Sequence, residues 1–226
     1  MKTHVVISHY NEDIGWVSQL THPYTIISKQ TKNVGTENWS YIFFIIQNYH
    51  NLPDKMLFVH GHETSYHQSY STPYIANHLN WSKIDYINVN DHDFWKKRGN
   101  EDGLQYWVED DDYEDVDNNY KRSYGLWFTD NWNDAFGNYI KRPTELSCLG
   151  FGQFMVSKHL ILNHPIEFYK RILNWLETTD IDERMYVGDI SEFNKAHAYV
   201  SGRLCEYNWH YIFTSNPHEQ LINYLL

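Results

Sequence analysis

Residues 55–63 read Lys-Met-Leu-Phe-Val-His-Gly-His-Glu, and this stretch decides the fold of the 226-residue chain. The apolar run from Met56 to Val59 is typical of a strand covered on both faces, as the strands of parallel sheets are. Because side chains alternate along a strand, His60 and His62 leave the same face, and Glu63 follows at once. Potential metal ligands where a rigid strand meets a loop predict a functional site at this point.

The segments around this strand predict an α/β domain. Strands are expected at 4–8, 24–28 and 84–89, helices at 38–49 and 73–81, and Thr36 is the expected N-cap of the first helix. Alternating elements with buried strands favour a mostly parallel central sheet flanked by helices. Ligands of such sheets bind beyond the carboxyl ends of the strands. The polar residues 8–13 and 60–63, which follow two of these strands, are therefore expected to meet.

Later parts of the chain are less regular. Periodicity fails from about residue 90 to 142, which predicts an irregular insertion or lid within a single domain of residues 1–226. Residues 109–117 carry seven carboxylates in nine positions, which is typical of a solvated loop. Calcium binding is the alternative, but the spacing does not match an EF-hand loop. Further on, the patterns predict a strand or hairpin at 145–156, a helix from Pro165 and a helical region at about 192–213.

Composition narrows the classes of partner. The formal net charge of −11 argues against binding to nucleic acid. No apolar run approaches the roughly 20 residues that span a bilayer, so no membrane span is expected. The apolar run near the N-terminus is too short for a signal-peptide core, and Cys148 and Cys205 fit no metal or redox spacing. These features predict a soluble protein of the cytoplasm.

Aromatic residues make up 17% of the chain. They either line a sugar- or base-binding cleft or fill the core.

Four motifs together resemble a family of largely uncharacterised proteins of fungi, algae and large algal viruses. They are the stretches 9–17 (HYNEDIGWV), 33–37 (NVGTE), 58–63 (FVHGHE) with His67, and 206–213 (EYNWHYIF). Members of that family resemble glycosyltransferases of the GT-A type, which are single α/β domains with a nucleotide-sugar site at the strand ends. The resemblance implies a UDP- or GDP-linked donor and a glycan or glycoprotein acceptor. A viral origin would place the protein in the host cytoplasm.

The resemblance also implies a divalent metal. GT-A enzymes hold the donor's diphosphate through a metal bound by a short acidic motif, Asp-x-Asp, at the end of a central strand. Here the corresponding residues are His60, His62 and Glu63, and His210 would complete the metal's coordination. Mn²⁺ or Mg²⁺ is the implied cofactor, with imidazole ligands leaning towards Mn²⁺ or Zn²⁺. Asp91 and Asp93 form a rival Asp-x-Asp, and histidines that touch phosphate without a metal are an open alternative.

Roles follow for the other motif residues. The expected donor contacts are Ser8, His9, Tyr10, Asn11, Glu12, Asn33, Gly35, Glu37 and Arg184. The expected acceptor contacts are Gly152, Gln153, Phe154 and Trp209. Glu206 is the expected catalytic base, because on one helix it would share a face with Trp209 and His210. Structural interpretations stand beside these roles: a capped turn at 9–13, a helix-start loop at 33–37, a surface ion pair at Arg184 and a buried hydrogen-bond network at Glu206.

Two other functions are compatible with the same residues. In a metal-dependent hydrolase, His60, His62, Glu63 and His67 would hold Zn²⁺ and activate water. In a non-catalytic carbohydrate-binding protein, the tyrosine and tryptophan rings would bind free glycan without metal or nucleotide. Bound zinc without nucleotide affinity would indicate the hydrolase.

Overall fold

The computed structural model describes residues 1–29, 34–90, 105–108, 131–142, 145–148, 152–179, 200–206 and 208–214. The strands are β1 (Thr3–His9), β2 (Tyr24–Ser28), β3 (Lys55–His60), β4 (Tyr86–Asn88), β5 (Gln105–Val108), β6 (Glu145–Cys148) and β7 (Phe154–Ser157). The helices are α1 (Thr36–Asn48), α2 (Thr72–His78), α3 (131–136), α4 (Lys158–Leu162), α5 (Ile166–Thr178), α6 (Val200–Glu206) and α7 (Trp209–Phe213), with 3-10 turns at Gly15–Gln19 and Tyr49–Asn51.

The central sheet is mixed and has the strand order β2-β1-β3-β7-β4. Strands β2, β1 and β3 are parallel, whereas β7 runs antiparallel to both β3 and β4. Strands β5 and β6 form a separate antiparallel pair. The predicted α/β class, with a central sheet parallel in its core and flanked by helices, is confirmed. Because β1, β2 and β3 point the same way, their carboxyl ends share one edge of the sheet.

Both faces of this sheet are covered, as the apolar runs predicted. In β1, Val6 packs against α1 and α5 on one face, while Val5 and Ile7 pack against α2 and the turn at Gly15–Gln19 on the other. Strand β3 divides its side chains in the same way, and all of Met56 to Val59 are buried. Burying one such side chain contributes roughly 1.5–3 kcal/mol, so these runs fix the strand positions firmly.

Helix α1 begins differently from the prediction. Gly35, not Thr36, is the N-cap residue, with a left-handed φ of 62°. Thr36 is the first helical residue and also has a positive φ of 50°, which is rare for a β-branched residue. The predicted cap at Thr36 is therefore wrong, because the turn needs left-handed backbone at two successive positions. Such strain persists only where surrounding contacts hold it.

Two described parts of the predicted irregular region are regular. Strand β5 lies at Gln105–Val108, and α3 buries Trp132, Ala135 and Phe136 in the same core as α1. The spacing of these three residues matches one face of a helix. These two segments are regular, whereas the insertion or lid at about 90–142 as a whole stays a prediction. The acidic stretch 109–117 lies outside the described residues.

The late helical region is interrupted. Helix α6 ends at Glu206 and α7 begins at Trp209, and Asn208 lies in the turn between them. The Asn208 side chain donates to the Leu204 carbonyl oxygen at 2.7 Å, and its backbone N–H donates to Cys205. The expected face shared by Glu206, Trp209 and His210 on one continuous helix is therefore wrong, since side-chain capping ends α6 first.

The described helices are short for a membrane span. Within the described ranges, no helix is both long enough and apolar enough to cross a bilayer. The longest, α1 and α5, have 13 residues each, against the roughly 20 residues that a span needs. Their buried positions face the central sheet, as in an ordinary globular domain.

Candidate functional site

The carboxyl ends of β1, β2 and β3 lie level with one another. Ser8 pairs with His60 across β1 and β3, and His9 pairs with Ser28 across β1 and β2. The chain after β1 folds over Gly61, where an added Cβ would lie only 2.7 Å from Glu12 Oε2. The two polar clusters that the sequence placed at strand ends therefore do meet. We call the residues gathered there the strand-end site: Glu12, Lys29, Glu37, Tyr41, His60 and His62.

Glu12 forms one side of this site. Its Oε2 accepts hydrogen bonds from the backbone N–H groups of Tyr10 at 2.6 Å and Asn11 at 3.2 Å. His62 Nε2 lies 3.9 Å from Glu12 Oε1. Burial alone would raise the pKa of Glu12, but hydrogen bonds from the backbone N–H groups of Tyr10 and of Glu12 itself, with the nearby His62 and His9, lower it overall. Glu12 is thus an ionised carboxylate that closes its own turn.

Glu37 forms the centre of the site. It projects from the first turn of α1, and its Oε1 lies 3.9 Å from His60 Nε2. The two side chains are 15% and 19% exposed. Gly152 packs against this carboxylate so closely that any side chain there would overlap it, and Asn38 Nδ2 donates to Oε1 at 3.2 Å. Burial lowers the pKa of His60 although Glu37 opposes the shift, so the imidazole is neutral at pH 7.

Lys29 belongs to the site although the sequence interpretation missed it. It follows β2 directly, is 8% exposed, and its Nζ donates to the Thr36 carbonyl oxygen. Burial lowers its pKa to about 8, and the nearby Glu37 and Glu12 carboxylates oppose that shift. The sequence could have indicated Lys29, because it directly follows a predicted parallel strand and such strands end at the same edge of the sheet. Lys29 supports the left-handed turn that positions Glu37.

Tyr41 was also missed, although it lies one helical turn after Glu37. Its hydroxyl is buried and has no hydrogen-bond partner among the described residues. Burial raises the pKa of Tyr41 well above its usual range, and the Glu37, Glu206 and Glu12 carboxylates raise it further. An unsatisfied buried hydroxyl costs roughly 1–3 kcal/mol. The site therefore holds a hydrogen-bonding group that the described residues do not satisfy.

Most residues of the stretch 8–11 have structural partners. Ser8 Oγ donates to Ser40 at 3.0 Å, and the His9 ring contacts Ser28 Oγ and the Glu12 carbonyl oxygen. Tyr10 and Asn11 use their backbone N–H groups to hold Glu12. Gly35 supplies the left-handed turn before α1. Of the other donor predictions, Asn33 and Arg184 lie outside the described residues.

The predicted metal ligands do not form a common group. His62 is largely exposed and faces Glu12, while Glu63 Oε1 accepts from Gln19 at 3.3 Å. His67 packs edge-on against the His60 ring, and the His210 ring lies against Tyr211. In the described part of the chain, no three histidine, cysteine, aspartate or glutamate side chains are arranged to hold a metal. These residues therefore do not fit a resident metal, and the rival Asp91 and Asp93 lie outside that part.

The predicted acceptor residues are in the protein interior. Gln153 Oε1 accepts from the His60 backbone N–H at 3.0 Å, which ties β3 to the segment before β7. Trp209 is 1% exposed, donates to Asn38 Oδ1 at 2.7 Å and stacks on Phe213. Phe154 is fully buried beside it, and Gly152 contacts Glu37. The predicted acceptor residues therefore support the residues of the strand-end site through buried contacts.

Glu206, the predicted catalytic base, lies near enough to Tyr41 to raise the pKa of its hydroxyl.

Buried His67 predicts acid sensitivity. Burial, followed by the effect of His60, lowers its pKa from 6.5 to about 3. Between these values the unfolded chain binds a proton that the folded protein does not, so the free energy of unfolding falls as pH drops below 6.5. At pH 5 this group alone costs roughly 2 kcal/mol. Urea unfolding of the wild type at pH 7.5 and 5.0 measures the fall, and His67→Gln should reduce it. Exposed His50→Gln is the control, and equal pH dependence in all three proteins would contradict the assignment to His67.

Comparison with known proteins gives one match. A family model described as "Protein of unknown function (DUF3431)" matches residues 5–221, which include every described residue of the strand-end site. No curated protein and no solved structure matches the chain.

Proposed function

The chain thus belongs to the DUF3431 family, and from its strand-end site we propose that it is a GT-A-like glycosyltransferase, which moves a sugar from a nucleotide-sugar donor to a glycan or glycoprotein acceptor. One observation carries the proposal. At the shared carboxyl edge of β1, β2 and β3, the partly buried Glu37 carboxylate faces the His60 imidazole, whose Nε2 has no hydrogen-bond partner among the described residues. A carboxylate at the ligand-binding edge of such a sheet can act as the base in sugar transfer, and the imidazole lies beside it.

The reaction needs groups of two kinds. A base must accept the proton of the acceptor hydroxyl, and cations must stabilise the charge that develops on the leaving diphosphate. Glu37 is suited to the first task. Lys29 is the described cationic group whose pKa the Glu37 and Glu12 carboxylates affect, and Arg184 is the further candidate from the sequence. Because the described residues offer no metal site, Mn²⁺ and Mg²⁺ enter the proposal only as conditions to be tested.

The two other functions receive less support. The hydrolase needs His60, His62, Glu63 and His67 on one zinc ion, but Glu63 bonds to Gln19 and His62 faces Glu12. A carbohydrate-binding protein needs exposed tyrosine and tryptophan rings. Most of the described tryptophans are buried in the two cores, although Tyr66, Tyr70 and Tyr74 are exposed. The pair formed by Glu37 and His60, whose side chains are 15% and 19% exposed, also has no role in glycan binding by a flat surface. Glycosyl transfer therefore explains more of the described geometry than either alternative.

A thermal-shift screen tests the proposal. UDP-, GDP- and CDP-sugars are each added with and without Mn²⁺, at concentrations well above the expected Kd. A donor at 100 times its Kd stabilises the protein by about 2.7 kcal/mol, which raises the Tm by roughly 5–10 °C for a chain of this size. Release of the nucleoside diphosphate in the presence of glycan acceptors then measures turnover. We expect at least one donor to give both signals.

Three outcomes would contradict the proposal. The absence of any nucleotide-sugar effect would overturn it directly. Co-purified zinc without nucleotide affinity would favour the hydrolase. Binding of free glycan that is indifferent to nucleotide and metal would favour the carbohydrate-binding protein.

A further inference from the structure

We propose that Glu37 and His60 together hold the reacting hydroxyl of the acceptor. Glu37 Oε1 takes its proton, and His60 Nε2 donates a hydrogen bond to its oxygen. This inference rests on the proposed function and assigns the catalytic base to Glu37 instead of Glu206.

The distance between the two atoms carries the argument. Glu37 Oε1 and His60 Nε2 are 3.9 Å apart, which is too long for a direct hydrogen bond. One oxygen placed roughly 2.8 Å from both atoms would subtend an angle of about 90° between them, an acceptable geometry for a hydroxyl that donates to one and accepts from the other. The spacing of the two atoms therefore matches that required for one oxygen atom to bridge a carboxylate and an imidazole.

The burial of His60 Nε2 makes it costly for this atom to lack a hydrogen-bond partner. His60 Nε2 is buried and has no hydrogen-bond partner among the described residues. Leaving such a group unsatisfied costs roughly 1–3 kcal/mol, so a water molecule or a ligand hydroxyl is expected to complete it. In the neutral imidazole, the adjacent carboxylate favours the tautomer that carries hydrogen on Nε2. That tautomer can donate to the incoming oxygen.

The Glu37 carboxylate is fixed before any ligand arrives. Gly152, in the segment before β7, packs against it, and Asn38 Nδ2 donates to Oε1. Lys29 donates to the carbonyl oxygen of Thr36, the residue before Glu37. A carboxylate oxygen has more than one acceptor site, so the Asn38 hydrogen bond leaves Oε1 able to accept another. Such positioning is what a general base needs, because proton transfer depends on placement within about 3 Å.

The step is balanced as a displacement. The acceptor O–H bond breaks as its proton passes to Glu37 Oε1, and the oxygen forms a bond to the anomeric carbon of the donor. The bond from that carbon to the diphosphate oxygen breaks, and its electron pair leaves on the nucleoside diphosphate. His60 keeps its proton throughout and orients the attacking oxygen.

Kinetics of three variants test this assignment with the donor identified by the screen. Glu37→Gln should lower kcat for transfer by 10²–10⁴-fold while leaving the Kd for the donor within threefold of wild type. His60→Gln should lower kcat less, by about 10–100-fold. Glu167→Gln is the matched control, since Glu167 is 62% exposed and pairs with Lys170. A Glu37→Gln variant with a kcat within threefold of wild type would overturn the inference while leaving the glycosyltransferase proposal intact.

A crystal structure of the ligand-free wild type gives a second readout that needs no activity. We expect one ordered oxygen within about 3.2 Å of both Glu37 Oε1 and His60 Nε2. Direct contact of the two side chains, or an empty gap, would overturn the inference even if donors bind. Failure of every nucleotide sugar to bind would instead overturn the proposed function, and this reaction step with it.

Discussion

Gly202→Ala is expected to lower the free energy of unfolding by roughly 2 kcal/mol, although alanine is the better helix former. Inside a helix alanine gains about 1 kcal/mol over glycine. Here, however, an added Cβ would overlap Thr36 Oγ1 and lie 3.0 Å from the Gly35 carbonyl oxygen. Overpacking of this kind costs roughly 1–3 kcal/mol, and the hydrogen bond from Asn38 Nδ2 to the Gly202 carbonyl oxygen would be lost as well. Backbone atoms cannot move aside as a flexible side chain can.

Urea unfolding and calorimetry measure this effect. A loss of 2 kcal/mol lowers the Tm by about 4–8 °C for a chain of this size. Thr36→Gly provides a matched partner, because it removes the overlapping oxygen and relieves the positive φ of 50°. In the double variant, part of the Gly202→Ala loss should be recovered. Equal losses in both backgrounds, or a stabilised Gly202→Ala variant, would show that α6 does not pack on this turn.

Under the proposed glycosyltransferase function, Gly152→Ala is expected to reduce sugar transfer at least 100-fold while changing stability much less. An added Cβ would overlap Glu37 Oε1 and lie 3.0 Å from Glu37 Cδ. The neighbour is the far end of a flexible side chain, so the carboxylate will swing away and the protein will still fold. Glu37 would then leave its position opposite His60. A displacement of about 1 Å in a reacting group can cost about 100-fold in rate.

The measurement combines turnover with calorimetry. Gly15→Ala is the control, because its added Cβ would meet only the Asp13 carboxylate, at 3.3 Å, on an exposed turn. We expect the control to match wild type in both assays. If Gly152→Ala kept full activity with a displaced Glu37, the carboxylate would have no part in catalysis.

Several features of the fold could be predicted from local patterns alone. The runs at β1 and β3 are buried on both faces, and the polar residues that follow them meet at one edge of the sheet. These predictions succeeded because burial and side-chain alternation depend on neighbours in the sequence. The start of α1 and the break between α6 and α7 were predicted wrongly. The start of α1 depends on the left-handed backbone at Gly35 and Thr36, and the end of α6 on the hydrogen bond from the Asn208 side chain to the Leu204 carbonyl oxygen. Helical periodicity records neither feature.

The composition of the site was harder to predict. The sequence directed attention to His60, His62 and Glu63 as one cluster because they are adjacent in the chain. In the fold, these three side chains have different partners: His60 faces Glu37, His62 faces Glu12 and Glu63 bonds to Gln19. These residues are adjacent in the sequence, but β3 ends at His60 and the chain turns there, so the three side chains point to different neighbours.

The sequence by itself determined that a group of parallel strands exists and that polar groups collect where these strands end. Short continuous apolar runs indicate strands that are covered on both faces, and such strands are typical of parallel sheets. Only the tertiary structure decided which groups share the centre of the site. Glu37 faces His60 there, and Gly152 packs against Glu37. Gly202 packs against the turn at Gly35 and Thr36 that precedes Glu37, so α1, β3, α6 and the segment before β7 meet although they are distant in the chain. Packing of that kind depends on how whole elements fit against one another, which no local pattern records.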